Sequence, residues 1–180
     1  YVFYDEIQCL NPAGFDVPDC WAPYILGDNV RNTRCIHSLM LPFFRGSSIS
    51  IPRGPQGREV ERYEYKNSAE MFRILSRVVH KLLRQEGLRP QDVVVLTPHP
   101  VEKSALYHRR LDCGVLFVDK LHGNENEVVL TSVESFKGLE RPVVIVAELD
   151  GFSPLALDMA CLYYVALSRA QSHLILLGTY

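Results

Sequence analysis

The chain has 180 residues, enough to bury the core of one α/β domain, or one domain plus a fragment of another. A net charge of −2 at pH 7 excludes attraction of a polyanion by the overall field, so any such contact must be a local patch. No apolar run approaches the ~18 residues of a helical membrane span, and 47% hydrophobic with 22% charged residues is ordinary for a globular α/β protein. The cysteines, Cys9, Cys20, Cys35, Cys113 and Cys161, form no CxxC pair and no Cys/His group with zinc-ligand spacing. Their odd number and irregular spacing fit reduced thiols inside a cell, in the cytoplasm or nucleus.

Taken in order, Tyr1-Val2-Phe3-Tyr4 reads as a strand already under way, so the chain is expected to be part of something longer. Residues 9–21, with Pro12, Gly14 and Pro18, read as a loop. Tyr24-Ile25-Leu26 reads as a strand, and Asp28-Asn29 as capping residues for a helix. That helix carries Ile36, Leu39, Met40 and Phe43 on one stripe and is expected to stop at Pro42. Arg31 and Arg34 lie in or just before its first turn, the positive end of the helix dipole, where cations are disfavoured. Such a broken local rule hints at a site.

Residues 45–58 are rich in Gly, Pro and Ser and carry Arg45, Arg53 and Arg58. They read as a mobile surface loop, or as an arm on a nucleic-acid backbone. An edge strand is expected over 59–65. A helix follows from Ser68 to about Glu86, capped by Asn67 or Ser68, with Met71, Leu75, Val78 and Leu82 as its stripe and Gly87 as its stop. Val93-Val94-Val95-Leu96 is a central strand ending in Thr97-Pro98-His99-Pro100. Glu102–Arg110 reads as a short helix, and Val115–Val118 and Val128–Leu130 as strands. After the polar stretch 131–140 come Val143–Val146 as a buried strand, a helix from about Leu155 to Arg169, and Leu174–Leu177 as the last strand. Strands alternating with helices predict a parallel sheet with helices on its faces.

The last helix contains an anomaly. At ~100° per residue, Leu162, Val165 and Ala166 share a stripe, and Arg169, seven residues beyond Leu162, points the same way. A lone buried charge costs several kcal/mol. Arg169 is therefore either a last-turn cation favoured by the helix dipole, or a guanidinium aimed at an anion.

Two stretches around it resemble a known family. Ser132-Val133-Glu134-Ser135-Phe136-Lys137-Gly138-Leu139-Glu140 resembles motif V of the superfamily 1 DNA helicases related to UvrD and Rep. Leu162-Tyr163-Tyr164-Val165-Ala166-Leu167-Ser168-Arg169-Ala170 resembles their motif VI. The resemblance implies a C-terminal (second) RecA-like domain, an α/β fold with a mostly parallel sheet flanked by helices. It makes Arg169 the arginine finger on the ATP γ-phosphate. Asp5-Glu6-Ile7-Gln8 is similar to motif III, with Tyr4 in place of its glycine, and the match makes Gln8 a γ-phosphate sensor. Residues 1–21 would then be the end of a first RecA-like domain plus linker, and 22–180 the second domain. The segment Leu26–Arg34 resembles motif IV, which makes Arg31 a second γ-phosphate contact; Val30 stands where relatives carry an adenine-stacking tyrosine.

By the same resemblance Glu140 hydrogen-bonds the ribose, Gly138 allows the backbone close to the nucleotide, and Ser132 and Lys137 lie near DNA phosphates. Glu134 replaces a DNA-contacting histidine, and Arg141 a usual phenylalanine. Thr97 and His99 follow a strand at its carboxyl end, where open α/β sheets place ligands, and are further candidates for a DNA phosphate. The expected partners are single-stranded or partly duplex DNA and the N-terminal RecA-like domain of the same protein.

No GxxxxGK[ST] phosphate loop occurs in the 180 residues. Phosphoryl transfer needs that cradle, a metal, a positioned water and cationic charge on the transition state. The chain alone is expected to be inert, with ATP and Mg2+ held mainly by the other domain and no metal ligands here. The alternatives are a degenerate RecA-like module for protein interaction or regulation, or the helicase part of a helicase-nuclease.

Overall fold

The computed structural model describes residues 27–44, 50–119, 124, 126–151 and 159–179. Gln8, the motif III segment, the linker and the strand expected at Tyr24–Leu26 lie outside the described residues. The elements in chain order are β1 Asp28–Asn29, α1 Arg34–Met40, β2 Ile51–Pro52, β3 Glu61–Glu64, α2 Ser68–His80, β4 Val93–Thr97, β5 Leu116–Val118, β6 Glu127–Ser132, β7 Arg141–Asp150, α3 Ala160–Ser168 and β8 Ala170–Thr179.

Six strands form one sheet in the order β3-β8-β7-β4-β6-β5, every neighbouring pair parallel. The β-branched runs become the central strands because both of their faces are covered. With a side-chain period of two, Val94, Leu96, Val129, Val144, Val146, Leu174 and Leu176 pack with α1 and α3. Their neighbours Val93, Val95, Val128, Leu130, Val143, Ile145, Ile175 and Leu177 pack with α2 on the other side. The strands outrun the apolar runs that announce them, since polar residues at their ends, such as Thr97 and Ser132, still pair in register. β3 is an edge strand, as its alternating pattern predicts.

Several expectations are corrected. Asp28-Asn29 does not cap α1 but pairs with β2. The cap is Thr33, whose Oγ1 accepts the Ile36 N–H at 3.4 Å. α2 is capped by Asn67 as expected, but its α-helical part ends at His80 and gives way to a π turn at Lys81–Gln85. The helix expected over 102–110 is one 3-10 turn, Val101–Lys103, followed by turns. The reason is competition for its amide hydrogens. Ala105 N–H goes to the Glu148 carboxylate at 2.8 Å and Leu106 N–H to its neighbour Ser104 Oγ at 3.1 Å.

Nor is the described part of the 45–58 stretch a free loop or arm. The Pro55 and Gln56 carbonyls accept the Arg34 and Cys35 N–H groups, the unsatisfied donors of the first turn of α1. A Cβ at Gly54 would stand 2.1 Å from the Asn32 carbonyl oxygen, so this strap lies hard against the turn before α1.

α3 is buried almost all round rather than along one stripe, with Leu162 less covered than Tyr163 and Tyr164. Arg169 is its C-cap and joins it directly to β8.

Candidate functional site

The residues singled out by sequence fall at the two ends of the sheet. At the amino ends of β7 and β8, Arg141 pairs with Ala170, so Glu140 and Arg169 are the residues just before two adjacent strands. Arg31 reaches the same place from the turn before α1: its Nε is 2.8 Å from Glu140 Oε2. Gln171 Nε2 donates to the other carboxylate oxygen at 2.7 Å. Arg169 Nη1 donates to the Leu139 carbonyl at 3.3 Å, one residue before Glu140. The two arginines thus converge on one dipeptide, Leu139-Glu140.

Their settings differ. Arg31 and Glu140 are half-exposed, 47% and 39% for the side chains, so their ion pair is worth at most about 1 kcal/mol and is easily exchanged. Arg169 is 1% exposed. Its Nε donates to the Val165 carbonyl at 3.1 Å and its Nη2 to Ser168 Oγ at 2.8 Å, which fold the guanidinium back along the last turn of α3.

The backbone that carries Arg169 is held by a residue the motifs do not mark. Asn32 is 2% exposed. Its side-chain amide donates one hydrogen to the Ser168 carbonyl at 3.1 Å and the other to the Ala170 carbonyl at 2.7 Å, bracketing Arg169. Asn29 fixes the orientation of that amide: Asn29 Nδ2 donates to Asn32 Oδ1 at 3.0 Å, and Asn29 Oδ1 accepts the Asn32 N–H at 3.1 Å. The signal in the sequence is a second asparagine three residues after the first, beside Arg31, in a turn.

Between the two ends runs the crossover 133–140. Val133 and Phe136 are buried beneath it, whereas Lys137 is exposed. Gly138 has φ 84°, and a Cβ there would meet nothing within 4 Å. Within the domain its requirement is therefore backbone conformation, not crowding. Arg141, standing where phenylalanine was expected, lays its guanidinium over the Phe136 ring at 5.7 Å.

At the carboxyl ends of β4 and β6, Thr97 and Ser132 are partners in register. Thr97 is fully buried; its hydroxyl donates to Glu148 Oε2 at 2.5 Å and accepts the His99 N–H at 3.3 Å. The hydroxyl expected on a phosphate is thus committed inside the protein. His99 is exposed, and Ser132 Oγ is engaged with the Ser135 hydroxyl at 2.9 Å and the Ser135 N–H at 3.1 Å. Glu148 was not singled out from sequence. It sits in the irregular part of β7 at φ 59°, with both carboxylate oxygens used on Thr97 and Ala105. A charged residue after Val143–Ala147 was its only sequence signal.

Described in this way, the chain is an α/β domain, a six-stranded parallel sheet flanked by helices, with a cluster of two arginines and a carboxylate before adjacent strands. Residues 127–177 match the family model of the UvrD-like helicase C-terminal domain, a stretch that holds Ser132, Lys137, Gly138, Glu140 and Arg169. In fold the chain is similar to the C-terminal domain of a possible DNA helicase from Lactobacillus plantarum. The TM-score is 0.63 at 16% identity, covering 83% of this chain and 87% of that one. No curated protein matches the chain.

Proposed function

We propose that this domain is the second RecA-like lobe of an ATP-dependent DNA helicase or translocase. The observation that carries the reading is the convergence of Arg31 and Arg169 on Leu139-Glu140. Guanidinium groups present planar, always-charged donors suited to phosphate oxygens. Bound ATP with Mg2+ would supply the phosphoryl group, and a first lobe, with Gln8 at its end, would hold them. Arg31 trades its exposed pair with Glu140 for a phosphate oxygen at little cost. Glu140 is then released toward the ribose, and Gly138 keeps the crossover backbone free of a side chain beside it. Arg169, buried in this arrangement, reaches a phosphate only when the site rearranges to uncover it. His99 faces DNA at the opposite end and Lys137 from the exposed crossover between the ends, while Ser132, buried and bonded to Ser135, reaches a DNA phosphate only if that bond opens. Thr97 acts there by holding the His99 backbone.

Arginine fingers of this kind are worth roughly 10³- to 10⁵-fold in rate. In the full-length protein, Arg169→Ala is expected to abolish DNA-stimulated ATP hydrolysis while DNA binding is retained. Normal turnover by that variant rejects the proposal.

One observation favours a second reading. The burial of Arg169 and its hydrogen bonds to Val165, Ser168 and Leu139 suit a structural arginine in a domain that serves protein interaction or regulation. Arg169→Lys separates the two. Both readings predict some loss of stability, because the bonds to Val165, Ser168 and Leu139 are lost in either case; a finger also loses its bidentate geometry and most of the rate per folded molecule, whereas a structural arginine leaves kcat per folded molecule unchanged.

A further inference from the structure

On the face of the sheet remote from α1 and α3, α2 carries a line of exposed cations. Arg73, Arg77, His80 and Arg84 follow one another at intervals of four, three and four residues, so they share one side of the helix. Across from them lies the turn at Asp112-Cys113, and the groove between has a volume of about 710 Å³. The line extends for about 16 Å at a helical rise of ~1.5 Å per residue. A solvated helix face normally mixes signs, with acids three or four residues from bases. Here the one acid so placed is Glu70, 3.5 Å from Arg73 at the first turn. Among the described residues, Arg77, His80 and Arg84 have no ion pair.

Two further features point to a ligand. Ser76 lines the groove, is 5% exposed, and its hydroxyl has no hydrogen-bond partner among the described residues. A buried helical serine ordinarily turns its hydroxyl to a carbonyl one turn back, and a buried hydroxyl left unpaired is costly. The last arginine of the line rides on the π turn Lys81–Gln85, an irregularity that is frequent at functional sites.

We propose that this groove binds one strand of nucleic acid through its sugar–phosphate backbone, without reading bases. The cations form a single row, which follows one backbone. The opposite wall carries the Asp112 carboxylate, which repels a second row of phosphates. The described groove lining includes no phenylalanine, tyrosine or tryptophan ring, and His80, its one aromatic group, lies within the row of cations. At a rise of ~3.4 Å per nucleotide the row spans about five phosphates, fewer if the strand is extended. The groove is separate from the Ser132 and His99 end of the sheet and from Lys137 on the crossover, so it suits a strand that has already left that end, or one displaced from it.

Cys113, a free and partly buried thiol in the groove wall, reports occupancy. In the full-length protein its rate of modification by N-ethylmaleimide is followed by peptide mass spectrometry, with and without oligothymidylate. Oligothymidylate is expected to slow modification several-fold. Arg77→Gln/Arg84→Gln, both on an exposed face, is expected to remove that protection and to lower the slope of log K against log salt by about 1.4, or ~0.7 per lost single-strand phosphate contact. Arg169→Ala, the test of the motor reading, leaves the Cys113 footprint unchanged, so the two proposals fail separately. Unaltered Cys113 reactivity at saturating oligothymidylate overturns the groove proposal. So does equal protection by poly-glutamate of matched charge, which would assign the groove to an acidic protein.

Discussion

Replacing Asn32 by alanine tests whether the turn before α1 positions Arg169. The variant removes both amide donors that reach the Ser168 and Ala170 carbonyls, at 3.1 and 2.7 Å. It also takes away the acceptor of Asn29 Nδ2. Both carbonyls belong to buried residues, so water does not replace the lost donors. Each buried hydrogen bond broken on one side costs ≈1–3 kcal/mol, which puts the total for two at about 2–6 kcal/mol. For a domain of this size, at about 2–4 °C per kcal/mol, that is a fall in Tm of roughly 4–24 °C. Asn32→Asp keeps the shape but turns carboxylate lone pairs toward the two carbonyl oxygens, and is expected to fall further. Thermal unfolding followed by circular dichroism reads both. A loss below ~0.5 kcal/mol for Asn32→Ala would mean that the bracket does not hold the Arg169 backbone, and would refute the reasoning.

Two other outcomes follow from single features. Gly138→Ala puts a Cβ on a residue at φ 84° with open space around it, so the cost is conformational, about 1–2 kcal/mol, and is read as a drop in Tm. A loss above that range would show crowding that the geometry lacks. His173 and His37 are buried, and burial holds the pKa of both below the ordinary 6.5; for His173 the nearby Glu61 carboxylate opposes this only in part. The unfolded chain therefore binds more protons, and stability falls as pH drops below 6.5. Tm is expected to be flat above about pH 7 and to decline toward pH 5.5, with a shallower decline in His173→Gln. A Tm that rises on acidification through this range contradicts that sign.

The fold was legible in sequence wherever a segment was both apolar and β-branched, because burial on two faces leaves no other conformation for Val93–Leu96 or Val143–Val146. It was illegible where a side chain competes for backbone donors. Glu102–Arg110 has a helical composition, but Ser104 and the distant Glu148 take the amide hydrogens that a helix would need. The candidates Gly138, Glu140 and Arg169 stand out in sequence because they lie in two short motifs, and the structure brings Glu140 and Arg169 to neighbouring strand ends. Asn32 does not stand out, since an asparagine in a turn looks the same whether it faces water or two buried carbonyls. The α2 arginines carry no clearer signal: the apolar stripe of that helix announces itself, while the polar side acquires meaning only when the turn at Asp112-Cys113 closes a groove against it.

The placement of the sites bears on how such a domain would couple its two ligands. Arg31, Glu140 and Arg169 stand at the amino ends of the strands, and Ser132 and His99 at the carboxyl ends, with the crossover 133–140 running between. That crossover is pinned along its length. The Val133 N–H donates to the Thr97 carbonyl at 3.0 Å, Phe136 is buried in the core, and the Leu139 carbonyl accepts from Arg169. A segment tied at its start, middle and end does not flex independently of the sheet, because bending it would break buried contacts at several points. Under the proposed function, nucleotide binding frees the end of the crossover as Arg169 leaves the Leu139 carbonyl, while the pins at Val133 and Phe136 hold, so the rest of the domain moves as one body. The hinge lies between lobes, and the length of the sheet is the lever that carries a displacement at the Arg169 end to the Ser132 end.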